Sequence, residues 1–242
     1  MTSFFSEQQV THQRESLSPK CGVCKLYKSC DSPKMAPYIP RMNPLGVLIV
    51  GEAPGKIEDE RGRPFAGKSG EFLRGCLAEI GVDARDVHMT NALICHPPNG
   101  ATPSAAQIDY CHPNLVRTIQ EVNPKVVITL GRSALQNVLL DYWDSVGELE
   151  RWTGWQIPIE RHWLCPTYHP SFLLRSKNDM LNGIFLKHLE AAFKIKEAPA
   201  QHLDWERKVE LLYDESSIGA AIEDMERNEG WTAFDYETTC LK

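Results

Sequence analysis

The stretch GVLIVGEAPGKIEDERGRPFAGKSG, Gly46 to Gly70, runs from a short β-branched apolar segment straight into glycines, prolines and charges. An apolar run of that length, bounded by glycine, reads as a buried strand. The small residues after it let the backbone approach a ligand closely. Working outward, VHMTNALIC (87–95), KVVITLG (125–131) and Trp163–Pro166 read as three more strands. Helical spacing predicts a helix from about Glu71 to Ile80 and another opened by Thr102-Pro103-Ser104, with Ile108, Leu115 and Ile119 on one face. Two more follow, from Ser133 to about Leu140 and from about Met180 to Lys196. Strands alternating with helices require right-handed crossovers about a mostly parallel sheet. The expected class is α/β: a three-layer α/β/α arrangement with a central, mostly parallel four-stranded sheet. Ligands in such sheets gather at the carboxyl ends of the strands. Glu52, Asn91, Gly131 and His169 each stand at or just past a strand end, so four distant segments are expected to meet in one crevice.

The chain has 242 residues, 42% hydrophobic and 24% charged, which suits one large domain, or one domain with part of another. No apolar run approaches the roughly 18 residues of a membrane span. The polar start MTSFFSEQQVTHQRESL lacks the basic-then-apolar layout of a secretory signal. We therefore expect a cytoplasmic, reducing setting without membrane contact, where the eight cysteines are metal ligands or buried thiols. The net charge of −6 is unevenly spread: from Pro199 onward there are eleven Asp and Glu against four Lys and Arg, of 32 and 26 in the whole chain. The body is thus near neutral and the tail acidic, so charge neither excludes nor predicts a nucleic-acid partner. The expected organisation is a polar leader (1–18), a main domain (19–198), a linker (199–204) and the opening of a second β-α-β unit (205–242), with a helix near Ile218–Asn228. That last piece is too small to bury a core alone.

Two motifs invite chemistry before any family is considered. GRPFAGKS, Gly62 to Ser69, fits the letters of a phosphate loop. Its third position is a proline and no strand precedes it, so nucleotide hydrolysis is a poor reading. Cys21-x-x-Cys24 is a chelating pair, and Cys95 and Cys111 flank the loop after the second strand. Four thiolates from two chain regions suit a structural zinc or an iron–sulfur cluster, with separate buried thiols as the alternative. Cys30 is a competing fifth ligand. Cys76 and Cys165 fit apolar patterns and read as core.

The order GEAPG…GRPFAGKSG, Thr90-Asn91, then His169-Pro170-Ser171 followed by LLR resembles the family 4 uracil-DNA glycosylases, over about Cys21 to Lys196. The resemblance implies excision of uracil from DNA by a monofunctional hydrolase in base excision repair, in a prokaryotic or phage-infected cell, by a monomer whose partner is uracil-containing DNA. It implies a 4Fe–4S cluster on Cys21, Cys24, Cys95 and Cys111, with zinc as the alternative and Cys30 as an alternative ligand. It also implies site roles. Phe65 would stack on the flipped base, beside Ala53. Asn91 would read the uracil edge, donating to O4 and accepting from N3–H, where cytosine presents the opposite pattern. His169 would donate to O2 as negative charge develops there. Glu52 would position water or stabilise the sugar cation. Glu58 would share that role or line the pocket near uracil C5. Ala53 stands where the family 1 enzymes carry an Asp, so catalysis is expected to rest on leaving-group stabilisation. His169–Arg175 would form a loop that wedges into DNA, with Ser171, Arg175 and Lys177 on phosphates.

WTAFDYETTCLK, Trp231 to Lys242, resembles the first motif of a polymerase 3′–5′ exonuclease domain, with Asp235 and Glu237 at its metal-binding positions. The further acidic residues such a domain needs would lie beyond Lys242, so no exonuclease activity is expected from this chain. Phage-type polymerases with a glycosylase-like N-terminal domain resemble this order of parts. They suggest a polymerase or other replication protein as a second partner. They also supply an alternative function, a catalytically weak DNA-binding module serving a polymerase.

Overall fold

A computed structural model of the chain describes residues 18–40, 44–143, 145–200 and 214–227. The chain divides into two compact units, Met1–His202 and Leu203–Lys242. The first unit carries the sheet: β1 (Val47–Gly51), β2 (His88–Asn91), β3 (Val126–Leu130), β4 (Ile157–Ile159) and β5 (His162–Thr167), in the order β2-β1-β3-β5-β4. β2, β1, β3 and β5 are parallel, and β4 pairs antiparallel to β5. Every residue of β1 and β3 is buried, as expected of central strands covered on both faces.

The helices of this unit are α1 (Cys21–Cys24), α2 (Lys56–Arg61), α3 (Lys68–Glu79), α4 (Ala105–Val122), α5 (Arg132–Val138), α6 (Pro170–Ser176) and α7 (Asp179–Ile195). Alternation along β1 sorts them into two layers. Val47 and Ile49 join Leu73 and Leu77 of α3 and Phe185 and Leu189 of α7. Leu48 and Val50 join Leu115 of α4 and Leu135 of α5. This is the expected α/β/α sandwich.

The structure departs from the sequence reading in several places. The sheet has five strands rather than four, because the edge strand β4 is three residues long with Pro158 at its centre. Proline is tolerated at an edge but weakens a strand pattern. β2 ends at Asn91, so Ala92–Cys95 lie beyond the strand. The segment after GEAPG contains a helix, α2, with Glu58 and Asp59 in its first turn, where negative charge suits the helix dipole. α3 starts at Lys68, three residues before Glu71. His169–Arg175 is also no loop. Pro170 opens α6 at its first position and His169 caps it, an arrangement proline favours.

In the second unit the described part is α8 (Glu215–Arg227). The first 17 residues of the expected leader, and the exonuclease-like motif expected around Asp235 and Glu237, lie outside the described residues. Among the described residues no helix is long and apolar enough to cross a membrane.

Candidate active site

The carboxyl ends of β1, β2, β3 and β5 open into a cleft of about 520 Å³. Glu52, Ala53, Glu58, Phe65, Asn91 and His169 all line it, with Ser171 and Arg175 at α6. Lys177 does not line it. It sits beyond the last turn of α6 in a left-handed conformation, φ 48°.

Close approach organises the floor. Gly51, the last residue of β1, lies beside Asn91 in register. A Cβ on Gly51 would run into Asn91 Oδ1 and would lie 2.9 Å from Phe65 Cζ. Phe65 and Asn91 therefore flank one glycine, and only a residue without a side chain fits between them. Phe65 is buried and takes φ 54°, in the left-handed region. That conformation costs a non-glycine residue about 1–2 kcal/mol. Two contacts hold it: Arg74 Nη1 donates to Phe65 O at 2.8 Å, and the Phe65 carbonyl packs directly on Gly70 of α3.

The two glutamates differ. Glu58 is buried, and its Oε1 accepts the Gly67 N–H at 2.8 Å. That N–H would cradle an anion if GRPFAGKS were a phosphate loop. Here a carboxylate already occupies it, so the structure removes the phosphate reading. The adjacent Asp59 accepts from Asp31 N–H at 2.9 Å and Ser32 N–H at 2.8 Å. The acidic pair on α2 thus ties the cleft loop and the segment after Cys30 to one helix. Glu52 instead faces the cleft, and its Oε2 accepts from Ser133 Oγ at 2.8 Å.

His169 is half-buried at the head of α6. Its Nδ1 accepts the Ser171 N–H at 3.1 Å and lies 2.8 Å from Ser171 Oγ. A ring whose Nδ1 accepts carries its neutral-state proton on Nε2. Burial, and after it the positive charge of Arg175, pull the imidazole down from 6.5 to about 4. At neutral pH His169 is therefore an uncharged ring that donates through Nε2. Sequence reasoning missed Ser133, Arg74, Asp59, Tyr168 and Phe172. The rings of the last two meet at a tilt of 30° with centroids 5.6 Å apart, and both line the cleft. Ser133 was findable in principle, since it stands two residues past Gly131 at another strand end.

A second site lies at the other end of Ala53, which packs against a separate apolar cluster. There Cys21, Cys24, Cys95 and Cys111 line a small apolar cavity of about 20 Å³. Lys34 N–H donates to Cys95 Sγ at 3.3 Å, and Asn114 Nδ2 donates to Cys111 Sγ at 3.5 Å. Burial pushes the Cys95 thiol up to about 12 and raises Cys111 and Cys30 as well. Cys30 packs on the same cluster without lining the cavity. Cys76 and Cys165 sit in the main core, as expected. Among the described residues no group of three or more His, Cys, Asp or Glu is arranged to hold one metal ion. Cluster ligation asks for something different: each iron takes its own thiolate, so the sulfurs surround a volume and do not converge on a point. Four thiols from two regions, an apolar lining and N–H donors aimed at sulfur fit that requirement.

The profile of the Uracil DNA glycosylase superfamily matches residues 39–194. A type-4 uracil-DNA glycosylase of Pyrobaculum aerophilum is 36% identical over 184 residues, covering 70% of this chain and 90% of that protein. Another type-4 uracil-DNA glycosylase, from Thermotoga maritima, is 35% identical over 150 residues, 60% of this chain and 75% of its own length. A DNA polymerase of Bacillus phage SP01 is 26% identical over 145 residues, 60% of this chain but 15% of the polymerase.

Proposed function

The chain belongs to the uracil-DNA glycosylase superfamily, in its type-4 family, and from that premise we propose that it hydrolyses the N-glycosidic bond of uracil in DNA and leaves an abasic site. The observation that carries this reading is the meeting of Phe65, Asn91 and His169, from three distant segments, in one cleft. An enzyme acting on a base must take it out of the stack into such a pocket. In our reading Phe65 stacks on the flipped uracil, held over Gly51 by its strained backbone. Asn91 reads O4 and N3–H. As the glycosidic bond breaks, electrons flow to the base, and the neutral His169 donates through Nε2 to O2. Glu52 faces the sugar and stabilises its growing positive charge or orients the attacking water. Ala53 offers no carboxylate at its position, which leaves charge stabilisation on both fragments as the main source of rate. Glu58 is assigned to the pocket wall, because its Oε1 is engaged by Gly67. Ser171 and Arg175 contact phosphates at the rim, and Lys177 does so from the end of α6.

The direct test is a uracil-containing oligonucleotide incubated with the protein and then treated with alkali. Strand breaks confined to the uracil position are expected. Tight binding without an alkali-labile site would overturn the enzyme reading. The chain would then stand as a DNA-binding module serving a polymerase, the reading that the similarity to the phage polymerase supports.

We further propose that Cys21, Cys24, Cys95 and Cys111 hold a 4Fe–4S cluster, which cross-links the N-terminal segment to the loop after β2 and takes no part in the bond cleavage. Protein carrying it is expected to be brown, with a broad absorption band in the visible range that apo-protein lacks. Cys24→Ala should lose the colour and Cys30→Ala should keep it. The reverse pattern would move the ligand role to Cys30, and colourless protein with stoichiometric zinc would replace the cluster by a zinc ion.

A further inference from the structure

We infer that Ser133 is a positioning residue that fixes the Glu52 carboxylate at the floor of the cleft, an inference that rests on the glycosylase reading above. β1 and β3 are adjacent and parallel, with Val50 beside Thr129, so the residues just past their ends emerge side by side. Glu52 follows β1. After β3 the chain turns at Gly131, whose φ is 86°, and α5 begins at Arg132. That turn sends Ser133 inward, where it is 5% exposed, while Arg132 stays on the surface.

The Ser133 hydroxyl has one proton to donate, and it donates to Glu52 Oε2 at 2.8 Å. Among the described residues Ser133 is the only hydrogen-bond partner of the Glu52 side chain. A glutamate has three side-chain torsions, and one charge-assisted bond to a buried, helix-borne hydroxyl selects among them. One carboxylate oxygen is thereby fixed and the other is left for sugar or water. Such a group matters where geometry must be preset before charge develops. It has little to offer DNA affinity, because phosphates are contacted elsewhere.

Single-turnover excision and DNA affinity would be measured for the wild type, Ser133→Ala, Ser133→Cys, Glu52→Ala and the double variant Glu52→Ala with Ser133→Ala. Ser133→Ala should slow excision by about tenfold or more, the usual size of a hydrogen bond to a charged group, with affinity for uracil-containing DNA unchanged. Ser133→Cys conserves shape with a poor donor and should behave like the alanine variant. In the Glu52→Ala background, Ser133→Ala should add nothing to the loss. An equal fractional loss in both backgrounds would mean that Ser133 acts on the fold and not through Glu52, and would overturn the inference. So would wild-type rates in Ser133→Cys. If the wild type itself leaves no alkali-labile site, the glycosylase reading fails and this inference falls with it. An active wild type with an additive Ser133 effect sinks the inference alone.

Discussion

Replacing His169 with alanine is expected to slow single-turnover uracil excision by roughly 10²–10³-fold, the cost of removing one preorganised donor at a site of developing charge. Asn91→Ala should fall in the same range, since it removes the amide that reads the same base. Binding to uracil-containing DNA should change far less, because phosphate contacts supply most of the affinity. The His169 effect has a pH dependence that follows from its surroundings. Its imidazole titrates at about 4, so the wild-type rate should be indifferent to His169 between pH 8 and about 5. It should decline only as the ring becomes charged below that. A rate that climbs with acid through the ordinary histidine range would instead make His169 a proton donor, and the electrostatic role would be wrong. Stability carries the same information. The unfolded chain takes up this proton near 6.5 and the folded chain near 4. Between those values the unfolded state binds more protons, and stability falls as pH drops through the window. His169→Ala should flatten that slope while losing the bond that caps α6, worth about 0.5–1.5 kcal/mol. Melting curves across pH separate the two effects.

How much of this could be read from residues alone depends on the range over which each feature is decided. β1 and β3 are decided locally. Their residues are buried on both faces, and a short run rich in Val and Ile, bounded by glycine, suffices to find them. The rule about strand ends then brings Glu52, Asn91 and His169 together without knowledge of any contact. α2 and α6 run six and seven residues, too few for an apolar period to show, so they pass as loops. β4 is shorter still. Glu58 illustrates a deeper limit. One oxygen of its carboxylate is held by a backbone N–H nine residues away, a pairing that exists only because α2 folds back on the start of α3. No composition or spacing rule reveals that pairing. Ser133 stands at a strand end, so its place in the cleft follows from the same rule, but its pairing with Glu52, 81 positions earlier, does not.

Two glycines on one helix give the sharpest test of how the floor of the cleft is built. Both lie in α3, where alanine in place of glycine ordinarily stabilises by about 1 kcal/mol. A Cβ on Gly75 meets nothing within 4 Å. Gly75→Ala should therefore raise stability by up to about 1 kcal/mol and leave excision untouched. A Cβ on Gly70 would collide with the carbonyl oxygen, the carbonyl carbon and the Cα of Phe65. Those atoms are backbone and cannot swing aside as a side-chain tip can. Phe65 is already in the left-handed region, and its carbonyl is engaged by Arg74, so relief requires moving the segment that aims the ring at the cleft. Overpacking of this kind costs about 1–3 kcal/mol, occasionally more, which outweighs the gain in helix propensity. Gly70→Ala should lower the urea midpoint. It should also cut excision further than the stability loss explains, because the displaced ring no longer packs over Gly51 beside Asn91. A fluorescent base next to the uracil would report the fraction flipped, and that fraction should drop in Gly70→Ala alone. If Gly70→Ala matches Gly75→Ala in stability and flipping, Phe65 is not held by α3, and its strained backbone has no part in capturing the base.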